Sequence, residues 1–125
     1  MISDNMSAQQ VFEHVTKHLL SQNKKAQKES GACCYRLDDL KCAVGCLIKD
    51  EEYDQKMEGM SICTILDNID KENPVVTRLV GHREMLMRLQ HIHDREEVSN
   101  WAAMLQYEAN FRHFYGFPFN ENDDR

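Results

Sequence analysis

The sequence predicts a mainly helical α+β fold carrying one small β-hairpin. Three observations point there. Apolar residues recur at three- and four-residue steps in several segments. One short stretch around residues 33–48 is interrupted by the turn pair Asp38-Asp39. No repeat or Gly/Pro-rich linker divides the 125 residues. A chain of this length fits a single domain, 1–125, that buries roughly two-thirds of the surface its unfolded form exposes, so neither disulfide nor metal is needed for stability. Residues 1–6 and 118–125 read as loose ends.

Ser7-Ala8-Gln9-Gln10 has the form of a capping box and starts the first helix. Val11, Phe12, Val15, Leu19 and Leu20 then share one face, while Gln10, Glu13, Lys17 and Gln22 face water, and Lys24, Lys25 and Lys28 suit the negative end of the helix dipole. After the breaker Ser30-Gly31, Cys33 to Leu37 reads as a strand and Lys41 to Ile48 as a second apolar segment, completing a hairpin. Gly45 lies inside that segment, where a missing side chain allows close approach of another backbone or a bend. Asp50 to Asp54 reads as a short helical turn. Ser61 caps a short helix with Ile62, Cys63, Ile65, Leu66 and Ile69, and Asn73-Pro74 breaks the chain. Val75 to Ile92 carries a short helix and a longer one, weakened between them at Gly81. Asp94-Arg95-Glu96-Glu97 reads as the cap of the last helix, with Val98, Trp101, Ala102, Leu105 and Ala109 as its apolar stripe. Phe111, Phe114 and Tyr115 add a second aromatic face before Gly116, and Phe117-Pro118-Phe119 leads into an acidic tail.

The net charge of −6 is unevenly spread: +2 over residues 1–37, −6 over 38–72 and −2 over 73–125. A chain with no overall basic field is poorly suited to sequence-independent nucleic-acid binding. No apolar run spans a bilayer, and the first residues lack a basic start followed by an apolar run, so a membrane is not expected and the cytoplasm is. Five cysteines, an odd number with two adjacent, make a poor disulfide framework, and free thiols are expected.

Four of those cysteines fall in one run, Cys33, Cys34, Cys42 and Cys46, with Cys63 beyond. A zinc site could use Cys33 or Cys34 with Cys42, Cys46, and Cys63 or a histidine, yet the paired two-residue-gap knuckles are missing and Ala43-Val44-Gly45 between two of them is apolar, so core thiols are the better reading and no cofactor is expected. His14 and His18 stand at a metal-gripping helical spacing without an acidic partner nearby. Asp50 to Glu58 fails as an EF-hand, whose sixth and twelfth positions are here Gln55 and Ser61. His93-Asp94 resembles the adjacent ligands of HD phosphohydrolases, with His82 or His91 as a further nitrogen. The distant carboxylate that chemistry needs falls only on Asp123 or Asp124. Phosphate loops, nucleophile elbows and zinc-protease helices are absent from the sequence.

Tyr35-Arg36, Lys41-Cys42-Ala43-Val44-Gly45-Cys46-Leu47-Ile48, Asp50-Glu51-Glu52-Tyr53-Asp54 and Met57-Glu58-Gly59, followed by Leu89-Gln90, Ile92-His93-Asp94 and Trp101, resemble a family of small proteins of bacteriophages and bacteria. The likeness runs over roughly residues 8–115. Lys49 departs from a proline of that family and Leu37 to Leu40 from a glycine-containing turn. The resemblance implies a bacterial or phage-infected cytoplasm and supplies no activity. Taken together, the sequence favours a non-catalytic protein-binding role, using Asp50, Glu51, Glu52, Tyr53 and Asp54 or the aromatic residues Phe114, Tyr115 and Phe117, with a homodimer left open. The alternative is a small metal-dependent enzyme using His91, His93 and Asp94, or a zinc-stabilised domain.

Overall fold

The capping box forms as its spacing requires. In the computed structural model, which describes residues 2–117, the Ser7 hydroxyl accepts the Gln10 amide at 3.2 Å and the Gln10 side chain accepts the Ser7 amide at 2.9 Å. Helix α1 (Ala8–Gln22) follows, with Val11, Phe12, Val15 and Leu19 fully buried, and ends at Asn23 in the left-handed region. In the segment before it, Asp4 reaches Arg78 at 2.9 Å and Met6 packs on the core. The expected loose end at 118–125 lies outside the described residues.

The hairpin is shorter than its apolar pattern. Strand β1 (Arg36–Leu37) pairs antiparallel with β2 (Leu40–Lys41), Leu37 opposite Leu40, around a turn in which Asp38 takes a φ of 55°. Aspartate tolerates that conformation better than most residues, which is why no glycine is needed. Beyond Lys41 the chain does not continue as a strand. It coils into a wholly buried 3-10 turn, Gly45–Leu47, because the small residues cap it locally: Cys42 Sγ accepts the Gly45 amide at 3.3 Å and the Cys46 thiol donates to the Ala43 carbonyl at 3.1 Å. Gly45 makes the close approach its missing side chain permits, against the backbone of Tyr35.

Helix α1 holds this unit by its polar face. Gln22, read from sequence as water-facing, exchanges two hydrogen bonds with the Lys41 backbone, at 3.0 and 2.9 Å. The His14 Nε2–H donates to the Cys46 carbonyl and the His18 Nε2–H to the Lys41 carbonyl, each at 3.0 Å. Burial lowers both histidines' pKa below the ordinary 6.5, the carbonyl bonds opposing it only in part and the Lys41 charge adding to it. Their neutral forms are therefore favoured in the fold. Their contribution to stability is full above pH ~6.5 and falls as acid protonates the unfolded chain first. Replacing both by glutamine, which keeps an N–H donor without titrating, should flatten the melting temperature between pH 7 and 5; an unchanged slope would place the acid sensitivity elsewhere.

Several acidic residues of the run 50–58 are tied to the chain's own cations and amides. Glu52 grips the buried Arg78 through both oxygens, at 2.8 and 2.7 Å, and Asp50 pairs with Arg36 at 2.6 Å. Asp54 caps the turn Gln55–Met57. Glu58 accepts two successive backbone amides, Tyr35 at 2.9 Å and Arg36 at 3.1 Å, and the Tyr53 hydroxyl at 2.6 Å. A carboxylate facing adjacent amides is an anion nest closed by a residue of the same chain.

Helices α2 (Ile62–Asn68), α3 (Pro74–Leu79), α4 (Arg83–Arg95) and α5 (Trp101–Phe111) complete the core. Ser61 caps α2 as expected. Asn73-Pro74, read as a break, starts α3: the Asn73 side chain accepts the Val75 amide and Pro74 takes the first helical position, where a missing N–H costs nothing. Asp94 to Glu97 do not cap the last helix. Asp94 and Arg95 are the final residues of α4, and α5 starts at Trp101 after the turn Val98–Asn100. The mainly helical α+β class with one small hairpin is the observed one.

Candidate functional site

A cleft of about 780 Å3 opens between α4, the loop of residues 27–35 and the segment 59–63 that leads into α2. Asp94 is its polar focus. The adjacent His93 lies wholly buried, its ring stacked on Trp101 with centroids 5.6 Å apart. His93 Nε2 accepts the Ala26 backbone N–H at 3.1 Å, so the ring proton is on Nδ1, which donates to Asp94 at 2.7 Å. Gln90, one turn earlier on α4, donates to the same Asp94 oxygen at 2.8 Å while accepting the Val44 amide at 3.0 Å. Burial opposes the Asp94 charge, but bonds from His93, Gln90 and Cys33 overcome it and hold the carboxyl below its ordinary value. The result is a relay of hydrogen bonds that ties α4 to the loops before and after the hairpin.

Cys33, His93 and Asp94 bring a thiol, a ring nitrogen and a carboxylate within 4.8 Å of one another, a candidate metal centre by proximity. The hydrogen bonding does not fit a metal. Ligating histidines donate from the nitrogen that faces away from the ion. His93 instead accepts there, so an ion at Nδ1 would demand an anionic ring. The same bonds leave His93 no nitrogen to act as base for a cysteine, and burial with the Asp94 charge pushes the Cys33 thiol up to about 11, far from a thiolate nucleophile.

The other cysteines are divided rather than gathered. Cys34, Cys42 and Cys63 line this cleft, as does His91, whereas Cys46 lines a separate one beside His14 and His18. Among the described residues, no group of three or more histidine, cysteine or acidic ligands converges apart from Cys33, His93 and Asp94. Burial drives the Cys42 thiol up to about 12 and Cys46 further upward, as expected of core thiols. The zinc set Cys34, Cys42, Cys46 and Cys63 is thus not assembled, because Cys42 and Cys46 are committed to their own turn. His14 and His18 likewise find no third ligand among the described residues.

The two expected partner surfaces fare differently. In the acidic segment, Glu52 is internal and Asp50 is paired, while Tyr53 lies under the Arg36 guanidinium at 5.1 Å and bonds Glu58; Glu51 and Asp54 face solvent. In the aromatic end, Phe114 and Phe117 pack on Phe12, at 5.1 and 6.5 Å between ring centroids, and so finish the core. Tyr115 stays 69% exposed, and so do Tyr107 at 58% and Phe111 at 66%, one helical turn apart on α5. Tyr107 escaped the sequence reading. Its signal was its offset from the stripe Trp101, Leu105 and Ala109, which turns it to the opposite face together with Phe111.

Comparison with protein-family models, curated proteins and solved structures finds no match to this chain. Among the described residues no helix is long and apolar enough to cross a membrane.

Proposed function

We propose that this protein is a non-catalytic binding module that takes a partner protein on the aromatic face of α5. The observation that carries this reading is the exposure of Tyr107 and Phe111 on successive turns, with Tyr115 just beyond. Large apolar side chains clustered on a surface are costly to leave in water and mark contact sites more often than isolated ones do. Tyrosine and arginine are also enriched among residues that dominate interface energy, and the Arg112 guanidinium lies 6.0 Å above the Phe111 ring, held there by Glu84 and Glu108. The anchor is therefore positioned before any partner arrives. Nothing comparable supports the acidic segment, whose charges are largely satisfied within the chain. The occupied nitrogens of His93 and the raised Cys33 thiol weigh against the catalytic alternative.

In the setting the resemblance implies, the partner is a protein of a bacterial or phage-infected cytoplasm. A photo-crosslinking amino acid at Phe111 should give one discrete adduct in bacterial cells, while the same group at Glu72, exposed elsewhere, should not. Tyr107→Asp with Phe111→Asp should abolish that partner's co-purification at unchanged melting temperature. Identical adducts from both positions, or a partner retained by the double variant, would rule this face out. An adduct of twice the chain mass would identify the partner as a second copy.

A further inference from the structure

The cleft that holds Asp94 contains a second arrangement, at its α2 side, that the hydrogen-bond relay does not use. Helices α2 and α4 pack side by side, and Cys63 on α2 faces Met87 on α4 with Sγ and Sδ 3.4 Å apart. Neither sulfur is sealed off: Cys63 is half-buried, and Met87 is 47% exposed, unusually open for a methionine in a chain that buries Met57 and Met85. His91 stands one helical turn after Met87 on the same face of α4, lines the same cleft and makes no hydrogen bond to a described residue. Arg83, one turn before Met87, pairs with Asp67 at 2.7 Å.

We propose that Cys63, Met87 and His91 form a binding site for a soft monovalent metal ion, Cu(I). Three features select that ion. Thiol and thioether sulfur favour Cu(I) over harder divalent metals, for which a thioether is a poor ligand. With a metal–sulfur bond of about 2.3 Å, trigonal coordination puts two sulfurs about 4 Å apart, so the pair has to open by only about half an ångström. The imidazole supplies the third donor and, unlike that of His93, has both nitrogens available. On binding, the Cys63 thiol gives its proton to solvent and the thiolate bonds to copper, which stays Cu(I) throughout. The charges of thiolate and Cu(I) cancel, and the Arg83 guanidinium keeps its partner in Asp67. This site does not involve α5 and stands apart from the docking reading.

The test is an anaerobic titration of the full, reduced chain against Cu(I) held by bicinchoninate, read as loss of the chelate's colour. Wild type should withdraw one equivalent of copper. Cys63→Ser and Met87→Leu should each weaken that binding at least tenfold and His91→Ala at least threefold, while Cys33→Ser, which alters the thiol beside Asp94, should leave it unchanged. Met87→Leu conserves volume at an open position and keeps the fold, so its loss reports the thioether itself. Failure of wild type to compete, a smaller loss in any of the three site variants, or an equal loss in Cys33→Ser overturns the proposal.

Discussion

Replacing Glu52 by alanine should lower the free energy of unfolding by about 3–5 kcal/mol, the usual cost of stripping one partner from a buried ion pair. Arg78 is only 3% exposed and spends its guanidinium on three groups: both oxygens of Glu52, the Leu47 carbonyl at 2.9 Å and Asp4. Without Glu52 the cation remains buried against one carbonyl and a carboxylate that is 56% exposed and well solvated, so Asp4 compensates only in part. Glu52 also accepts the Lys49 amide at 2.9 Å, a bond lost at the same time. The Arg78 bonds, opposed by burial, hold the Glu52 carboxyl below its ordinary value. Its contribution is therefore full above pH ~4.3 and is lost as pH falls through the depressed folded value. Urea unfolding of Glu52→Ala measures the loss, and Glu52→Leu with Arg78→Met should recover part of it, since an apolar pair carries no stranded charge although the Leu47 carbonyl and the Lys49 amide lose their partners. A loss below about 1 kcal/mol would rank the pair with ordinary surface bridges and refute its structural role. The same geometry means that reversing the charge of Glu52 cannot test a docking surface without also damaging the fold, whereas Glu51→Lys can.

What the sequence reveals about this chain is mainly what local chemistry decides. The Ser7 capping box and the Ser61 cap follow from spacing alone, because their partners lie within four residues, and the buried stripe of α1 follows from its three- and four-residue period. The errors arise where a distant group competes. Lys41 to Ile48 has the apolar content of a strand, but among the described residues β2 has no third strand beside it, and Cys42 and Cys46 turn their sulfurs onto their own backbone to close a 3-10 turn. Asp94 stands three residues ahead of Glu97 in a capping pattern, yet His93 and Gln90 claim its carboxylate and extend α4 past it. The acidic run 50–58 resembles a solvated loop because its counter-charges, Arg36 and Arg78, lie 14 and 26 residues away. For the candidate sites the same division holds. Sequence shows that thiols and histidines are present, but which nitrogen of His93 is occupied depends on the Ala26 backbone 67 residues earlier, and the meeting of Cys63 with Met87 depends on how α2 packs on α4.

Gly45→Ala should be the most damaging single methyl group in the chain. A Cβ there falls inside the contact radius of the Tyr35 carbonyl oxygen and within 2.9 Å of its carbon. A clash of this kind is harmless if the neighbour can move, and Tyr35 cannot. Its amide is fixed by Glu58 at 2.9 Å, its carbonyl accepts the Cys42 amide at 3.2 Å, and its hydroxyl donates to the Met60 carbonyl. Gly45 is held as well, its own amide donating to Cys42 Sγ. Relief therefore requires breaking the hairpin's closing bond or unseating the 3-10 turn that fills the core from Cys42 to Ile48. Overpacking against a fixed backbone costs about 3 kcal/mol or more, which for a domain of this size lowers the melting temperature by about 10 °C. Gly81→Ala provides the contrast: nothing lies within 4 Å of its Cβ position, and its backbone is not left-handed. That change should leave stability unchanged or raise it by about 0.5 kcal/mol through a less flexible unfolded chain. Thermal melts of the two variants side by side separate steric conflict from the general effect of adding a methyl group. Equal melting temperatures would mean that the β1 segment shifts freely, and that the close packing of Gly45 on Tyr35 does not hold the hairpin against the core.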